Sequence, residues 1–155
     1  MLSIEATELQ ETNMRSLGAV VTLLAAIFAA RRKLVLVNVT GASMEPTLRD
    51  GDRILVRRRG PAALRRGQIV VLMAPEAAQG PQWQCPGWHV KRVVALAGDP
   101  LPADVPPADE TGLVPRDSVV VFGDNPFGGD SRDWGPYRVD GLVGTLVCRT
   151  SGRAE

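Results

Sequence analysis

The sequence has few of the residues that metal and nucleotide sites require. Its 155 residues include one histidine (His89), two cysteines (Cys85 and Cys148) and two lysines (Lys33 and Lys91). A zinc site takes about four closely spaced Cys, His or carboxylate ligands, and no glycine-rich dinucleotide or Walker-type motif occurs. The sequence therefore predicts neither a metal nor a cofactor. Cys85 and Cys148 could form a disulfide in an oxidising compartment, or could equally be two unpaired thiols.

The chain also lacks an excess of charge of one sign. Its 18 basic and 17 acidic residues leave a formal net charge of +1. A strong polyanion binder is more basic than this, so no nucleic-acid partner is predicted. Hydrophobic residues make up 45% of the chain, which is too apolar for a disordered protein. The length fits one compact domain with a tail or an anchor.

Only one long apolar run is present, near the N-terminus. It follows a polar, acidic tail over residues 1–16, covers residues 17–30 (LGAVVTLLAAIFAA), and ends at three basic residues, 31–33. A spanning helix needs about 20 apolar residues, but basic side chains at its end can snorkel and cover part of the shortfall. A cleaved signal peptide would carry its basic residues before the run. The pattern favours a helix over residues 17–33 that anchors the chain in a membrane, rather than a packed core helix.

After residue 33 the sequence changes to short apolar segments separated by turns. The 16 glycines and 12 prolines favour strands and loops over helices. The pattern predicts a mainly β fold over residues 34–155, in which antiparallel sheets form a small barrel or sandwich. Residues 101–117 are predicted as a short surface loop and residues 123–136 as a glycine-rich irregular loop. The predicted strands cover residues 34–39, 52–58, 68–73, 88–97 and 118–122, and one or two strands in 137–149, broken at Gly141 and Gly144.

One serine and one lysine occupy positions that suit nucleophilic catalysis. Ser43 lies where an apolar strand ends, between Gly41 and Pro46, and a rigid strand exit exposes a hydroxyl near backbone N–H groups. Lys91 lies in an apolar strand, where lost solvation lowers the pKa of an amine so that it can act as a neutral base. Ser–Lys pairs are an established variant of the Ser–His–Asp arrangement. His89 is the alternative base, and a turn serine with a surface lysine is the simpler interpretation of the spacing alone.

The loop over residues 123–136 is polar enough to require internal hydrogen bonds. We expect these from Asp130 with Arg132 and from Asp124 with Asn125. A functional interpretation is that the loop fixes the base, and the alternative is a tight surface loop with Asx turns. Its carboxylates do not have the spacing of metal ligands.

Four segments, taken together, resemble type I signal peptidases, the membrane-anchored serine proteases that cleave signal peptides. The apolar N-terminal segment also lies where this family has its anchor. The four segments occur in the family's order: SMEPTL at 43–48, RRGQIVVL at 65–72, VKRVVALAGD at 90–99 and GDNPFGGDSRDWG at 123–135.

The resemblance implies roles for the residues of the site. Ser43 would be the nucleophile, with its backbone N–H in the oxyanion hole, and Lys91 would be the general base. Met44 matches a packing position beside the nucleophile. Gly41 stands where some members have a serine that donates to the oxyanion, and Gly128 where members often have a serine bonded to the lysine.

The resemblance also implies supporting residues in the glycine-rich loop. Asp130 and Arg132 match residues that brace the surroundings of the lysine. Ser131, Asp124 and Asn125 belong to the same block and are expected to support it.

The substrate and the location follow from the resemblance as well. The signal peptide of a preprotein would bind as an extended strand near residues 36–42 and 86–90 and be cut after small residues, typically Ala. Membrane lipid is the second expected partner. The basic residues that follow the apolar segment would place the main domain in the cytoplasm by the positive-inside rule. We follow the family, which places the domain on the extracytoplasmic side of the cell membrane with a single-pass anchor.

Two other functions are compatible with parts of the sequence. A self-cleaving repressor shares the Ser–Lys arrangement, but the 33 residues before the first strand are too few and too apolar for a DNA-binding helix-turn-helix. A non-catalytic, membrane-tethered β-barrel adaptor would keep the fold without turnover, and Gly41 and Gly128 are the features that favour it.

Overall fold

In the computed structural model, the residues described are 20–22, 33–78 and 87–151. The chain divides into two units, residues 1–34 and 35–155. In the first unit residues 20–22 are helical, and the rest of the predicted anchor helix, apart from its last residue, lies outside the described residues. Among the residues described, no helix has both the length and the apolar character needed to cross a membrane.

Within the described ranges, seven strands form one antiparallel, curled sheet, so the predicted mainly β class is confirmed. The last strand of the chain lies near the middle of the sheet, because the strand order is β1-β2-β7-β3-β4-β5-β6. In chain order the strands are β1 (Leu34–Asn38), β2 (Arg53–Arg57), β3 (Ile69–Met73), β4 (Trp88–Ala95), β5 (Ser118–Phe122), β6 (Tyr137–Arg138) and β7 (Leu142–Ser151).

The centre of the sheet is buried on both faces. Strand β3 has four successive buried residues, and alternate side chains of a strand point to opposite faces. Val71 packs into a cluster with Met44, whereas Val70 and Leu72 pack into a second cluster with Tyr137. A continuous apolar sequence is what a strand covered on both faces requires. Both clusters also include a residue of β4, Val90 in the first and Val93 in the second.

The predicted strand break at Gly144 is wrong, whereas a break at Gly141 is present. Strand β7 runs through Gly144, and a short 3₁₀ turn over Val139–Gly141 separates it from β6. A Cβ on Gly144 would overlap the backbone carbonyl of Arg57 on β2. Glycine at this position therefore permits a close approach of two strands and does not end one.

A single helical turn, α1 (Ser131–Trp134), interrupts the loop that was predicted to be irregular. It begins with a reciprocal cap: the Asp130 carboxylate accepts from the Arg132 N–H, and the Asp133 carboxylate accepts from the Asp130 N–H. This is the capping-box pattern, in which two backbone donors at a helix start are satisfied by side chains. One turn is too short to show a helical period in the sequence, so the prediction missed it.

Candidate active site

A groove with a cavity of about 370 Å³ collects the candidate residues from three parts of the chain. Ser43, Met44, Gly41 and Lys91 all line it. The sheet therefore brings the serine and the lysine predicted from the sequence to one site. The three contributing parts are the end of β1 with the turn after it (residues 37–44), the start of β4 (88–91), and the glycine-rich loop with α1 (Asn125, Phe127, Gly128, Gly129 and Trp134).

The backbone around Ser43 is held from two sides. Met44 is buried in the first core cluster, together with Val71 of β3. From the glycine-rich loop, the Asn125 N–H donates to the Ser43 carbonyl at 3.0 Å, and Asn125 Nδ2 donates to the Ala42 carbonyl at 3.1 Å. A strand exit that is fixed in this way can present a hydroxyl at a constant position.

Two glycines bring the loop against the serine. A Cβ built on Gly128 would lie 2.6 Å from the Ser43 Cβ, and one built on Gly123 would lie 2.5 Å from the Ser43 carbonyl oxygen. No side chain fits at such distances, so the observed approach requires glycine at both positions. Gly128 therefore has a steric role beside Ser43, which the sequence alone did not predict.

Lys91 is almost completely buried, with 3% of its surface exposed. It lies opposite Val70 of β3 and on the same face of β4 as His89 and Val93. Burial lowers the pKa of Lys91 from 10.5 to about 8; the charge of Asp130 opposes this, and that of Arg132 adds to it. A substantial fraction of the amine is therefore neutral at mildly alkaline pH.

The lysine amine and the serine hydroxyl are both open to the groove. Within the part of the chain that the structure describes, neither Lys91 Nζ nor Ser43 Oγ makes a hydrogen bond. Both residues line the groove, and Lys91 does so although it is almost completely buried.

The predicted Asp130–Arg132 pair is present at the base of the loop. Arg132 donates to the Asp130 carboxylate from Nε at 2.9 Å and from a terminal nitrogen at 2.6 Å, and the Gly123 N–H donates at 2.8 Å. Burial would raise the pKa of Asp130, but these hydrogen bonds outweigh it and hold the pKa below the usual 3.8. Ser131 joins the loop to the sheet, because its buried Oγ accepts from the Val121 N–H at 3.0 Å.

The predicted pairing of Asp124 with Asn125 is wrong. Asp124 instead accepts two hydrogen bonds from Arg92, at 2.8 and 2.6 Å. Arg92 is opposite Phe122 in the sheet register, so its guanidinium lies near the point where the loop leaves β5. Asn125 instead donates hydrogen bonds to the carbonyls of Ser43 and Ala42.

His89 and several aromatic residues of the groove had no assigned role in the resemblance. His89 Nδ1 lies 2.9 Å from the Tyr137 hydroxyl, and the ring packs against Trp134 with 5.7 Å between centroids. Burial, together with the charge of Lys91, lowers the pKa of His89 from 6.5 to about 4. Phe127 and Trp88 line the groove and are 95% and 49% exposed.

The described residues offer neither a metal site nor a cysteine in this groove. No group of three or more His, Cys, Asp or Glu residues could hold a metal ion in the described ranges. Cys148 is an exposed free thiol on β7, and Cys85 lies outside the described residues.

Comparisons with known proteins relate the chain to one peptidase family. The family model described as "Signal peptidase, peptidase S26" matches residues 13–104. The chain is 29% identical over 137 residues to "Probable thylakoidal processing peptidase 2, chloroplastic" of Arabidopsis thaliana, covering 72% of this chain and 36% of that protein. It is 30% identical over 136 residues to "Probable signal peptidase I-2" of Synechocystis sp., covering 72% of this chain and 60% of that protein. The chain thus spans between about a third and three-fifths of these relatives, and it belongs to the signal peptidase family, peptidase S26.

Proposed function

We propose that this chain is a serine endopeptidase that cleaves signal peptides from exported preproteins, with Ser43 as nucleophile and Lys91 as general base. The observation that carries the proposal is the shared groove, in which an accessible serine and a buried lysine of lowered pKa occur together. Membership of the signal peptidase family supports the substrate class.

In the proposed reaction, neutral Lys91 takes the proton of the Ser43 hydroxyl as Oγ attacks the scissile carbonyl carbon. The Ser43 backbone N–H donates to the oxyanion of the tetrahedral intermediate. The Lys91 ammonium then gives its proton to the leaving amine, which leaves an acyl group on Ser43. Water attacks this ester with Lys91 again as the base, the bond between the acyl carbon and Oγ breaks, and Lys91 returns the proton to Oγ as the acid product departs. Gly41 offers no side-chain donor to the oxyanion, so the backbone N–H carries this role.

The glycine-rich loop supports this chemistry by fixing both partners. Asn125 holds the backbone on either side of the serine hydroxyl. The Asp130–Arg132 pair keeps opposite charges together beside Lys91, so that their effects on its pKa partly cancel and burial dominates. We propose that Ser131 and Asp124 act by tying this loop to β5 and β4.

An extended peptide has open strand edges beside the groove. Strand β1 is an outer strand of the sheet. Strand β4 pairs with β5 from Arg92 onward, so in the described residues its first part, Trp88–Val90, pairs with β3 on one side only. We propose that the signal peptide binds by strand addition along these edges, with a small residue before the scissile bond.

We also propose that the groove faces a lipid surface. The exposed rings of Phe127 and Trp88 at the groove support contact with the apolar part of a membrane, since aromatic side chains are favoured at such interfaces. Residues 17–33 would be a single-pass anchor, with the peptidase domain on the extracytoplasmic side. Tags on each terminus and protease treatment of intact cells test this topology: digestion of the C-terminal tag is expected, and its protection would contradict the proposal.

Cleavage of a preprotein in detergent tests the catalytic assignment. We expect Ser43→Ala and Lys91→Ala each to reduce turnover by about four orders of magnitude or more, as removal of a nucleophile or its base does in serine proteases. Ser118→Ala, on β5 and outside the lining of the groove, is the matched serine control and should keep normal turnover. Circular dichroism verifies that all variants fold. Equal turnover in Ser43→Ala, Lys91→Ala and the wild type would refute the assignment.

A further inference from the structure

His89 lines the groove but has no role in the proposed reaction of Ser43 and Lys91. It is the only histidine of the chain and lies on the same face of β4 as Lys91, two residues away. Both residues line the groove. Trp134 packs against the imidazole at 5.7 Å and Tyr137 at 6.0 Å between ring centroids. The imidazole is therefore held in one position by its neighbours.

The Tyr137 hydroxyl determines which imidazole nitrogen carries the hydrogen. Tyr137 is fully buried, and burial raises the pKa of its phenol, so the hydroxyl keeps its hydrogen. Among the described residues its partner is His89 Nδ1, at 2.9 Å. If Nδ1 carried a hydrogen, the buried O–H would have no acceptor, which is costly. The hydroxyl therefore donates to Nδ1, and the neutral imidazole carries its hydrogen on Nε2.

The Nε2–H group is left available to a ligand. Nε2 has no hydrogen-bond partner among the residues that the structure describes. His89 is partly exposed and lines the groove, so Nε2 is the imidazole nitrogen left to meet a ligand there. The result is one uncharged donor of fixed tautomer beside the proposed general base.

We propose that His89 binds the peptide in the groove by donating its Nε2–H to a carbonyl oxygen of that peptide, and that Tyr137 is a positioning residue that acts through His89. The ligand class follows from the donor: the Nε2–H needs an acceptor oxygen, and a peptide backbone offers a carbonyl oxygen at every residue. It also follows from the open edge at Trp88–Val90, since a peptide paired there passes the His89 side chain. The inference rests on the proposed function, because it assumes that the groove takes a peptide.

Steady-state kinetics separate this binding role from a merely structural one. His89→Phe keeps a ring but removes the donor, and we expect KM to rise about two- to tenfold, the effect of one neutral hydrogen bond, with little change in kcat. His89→Gln retains an N–H donor and should restore most of the lost affinity. Tyr137→Phe should raise KM in the wild-type background and leave KM unchanged in the His89→Gln background. An unchanged KM in His89→Phe, or an equal effect of Tyr137→Phe in both backgrounds, would overturn the inference.

Nitrogen-15 NMR of the single histidine tests the same inference without catalysis. In the Ser43→Ala variant, which should bind peptide without cleaving it, we expect the Nε2–H tautomer. Adding a synthetic peptide with an Ala-x-Ala site should shift Nε2 more than Nδ1. An Nδ1–H tautomer, or an Nε2 resonance that saturating peptide leaves unmoved, would overturn the inference. Peptide-induced shifts in a protein whose wild type cuts nothing would support the binding role while refuting the proposed proteolysis.

Discussion

Replacing Lys91 by methionine should abolish cleavage and also stabilise the folded protein at neutral pH. Lys91 is buried, and its pKa is about 8 instead of 10.5 because burial disfavours the ammonium. At pH 7 most molecules nevertheless carry the proton, so the folded state bears the cost of a buried charge. Methionine has an unbranched stem of similar length and needs no solvation, so the substitution removes that cost.

The magnitude follows from the size of the pKa change. The interval from 10.5 to about 8 corresponds to about 3 kcal/mol at 1.36 kcal/mol per pH unit. The sign follows from proton linkage: between pH 8 and 10.5 the unfolded chain binds more protons at this site than the folded protein, so wild-type stability rises with pH in this window. The advantage of the methionine variant should therefore be largest below pH 8 and be lost as the pH approaches 10.5.

Urea unfolding at pH 7 and at pH 10, followed by circular dichroism, measures this difference. Lys33→Met is the matched control, because Lys33 is the other lysine of the chain and is exposed; it should leave stability unchanged within about 0.5 kcal/mol, as surface substitutions do. A Lys91→Met variant that is less stable than wild type at pH 7, or a stability gap that does not shrink with pH, would refute the reasoning.

Further predictions concern the rate of cleavage and the glycine-rich loop beside the proposed Ser43–Lys91 pair. The value of kcat/KM should rise with pH through a midpoint near 8 as Lys91 loses its proton, and a flat profile would contradict this. Asp133→Asn should move the midpoint to lower pH, since the charge of Asp133 raises the pKa of Lys91; a shift to higher pH would contradict the assigned electrostatics. Gly128→Ala should cut turnover about 100-fold by displacing Ser43, the proposed nucleophile, whereas Gly60→Ala, which meets open space, should not. Asn125→Ala should lower kcat/KM about 10- to 100-fold and unfolding free energy by about 1 kcal/mol, and normal kinetics would show that the loop does not position the serine.

The strands at the centre of the fold were predictable from local sequence. Ile69–Met73 and Ser118–Phe122 are runs of β-branched and apolar residues between turns, and the predicted limits agree with the structure to within one residue. The position of β7 between β2 and β3 was not predictable, because it depends on pairing between residues far apart in the chain. The continuation of β7 through Gly144 was not predictable for the same reason. The glycine lies there because the backbone of β2 at Arg57 comes close to β7.

For the candidate site, the sequence indicated several residues that line the groove but not the contacts among them. Ser43 and Lys91 stand out by their local surroundings, and the sheet brings them to one groove. The contact of Gly128 with Ser43 and the bond from Tyr137 to His89 join parts of the chain that no short-range pattern relates. Such partners follow from the register of the sheet and the path of the loop, which only the assembled fold determines.

The fold combines a largely apolar core with a buried lysine, Lys91. Most of the core is apolar, and Lys91 is one of six buried polar or charged residues among the described part of the chain. Its burial lowers the pKa of the amine, which suits a general base and which we expect to cost stability at neutral pH. The stability and pH experiments above examine these two consequences of a single structural fact.

Trapping of an acyl-enzyme tests the central claim most directly. The protein is incubated with an activated ester of a short peptide that ends in Ala, quenched with acid, and digested for mass spectrometry. We predict that the acyl mass is found on Ser43 in the wild type, is absent in Ser43→Ala, and accumulates far more slowly in Lys91→Ala. An adduct on another residue, or acylation at the wild-type rate in Lys91→Ala, would contradict a serine nucleophile activated by this lysine.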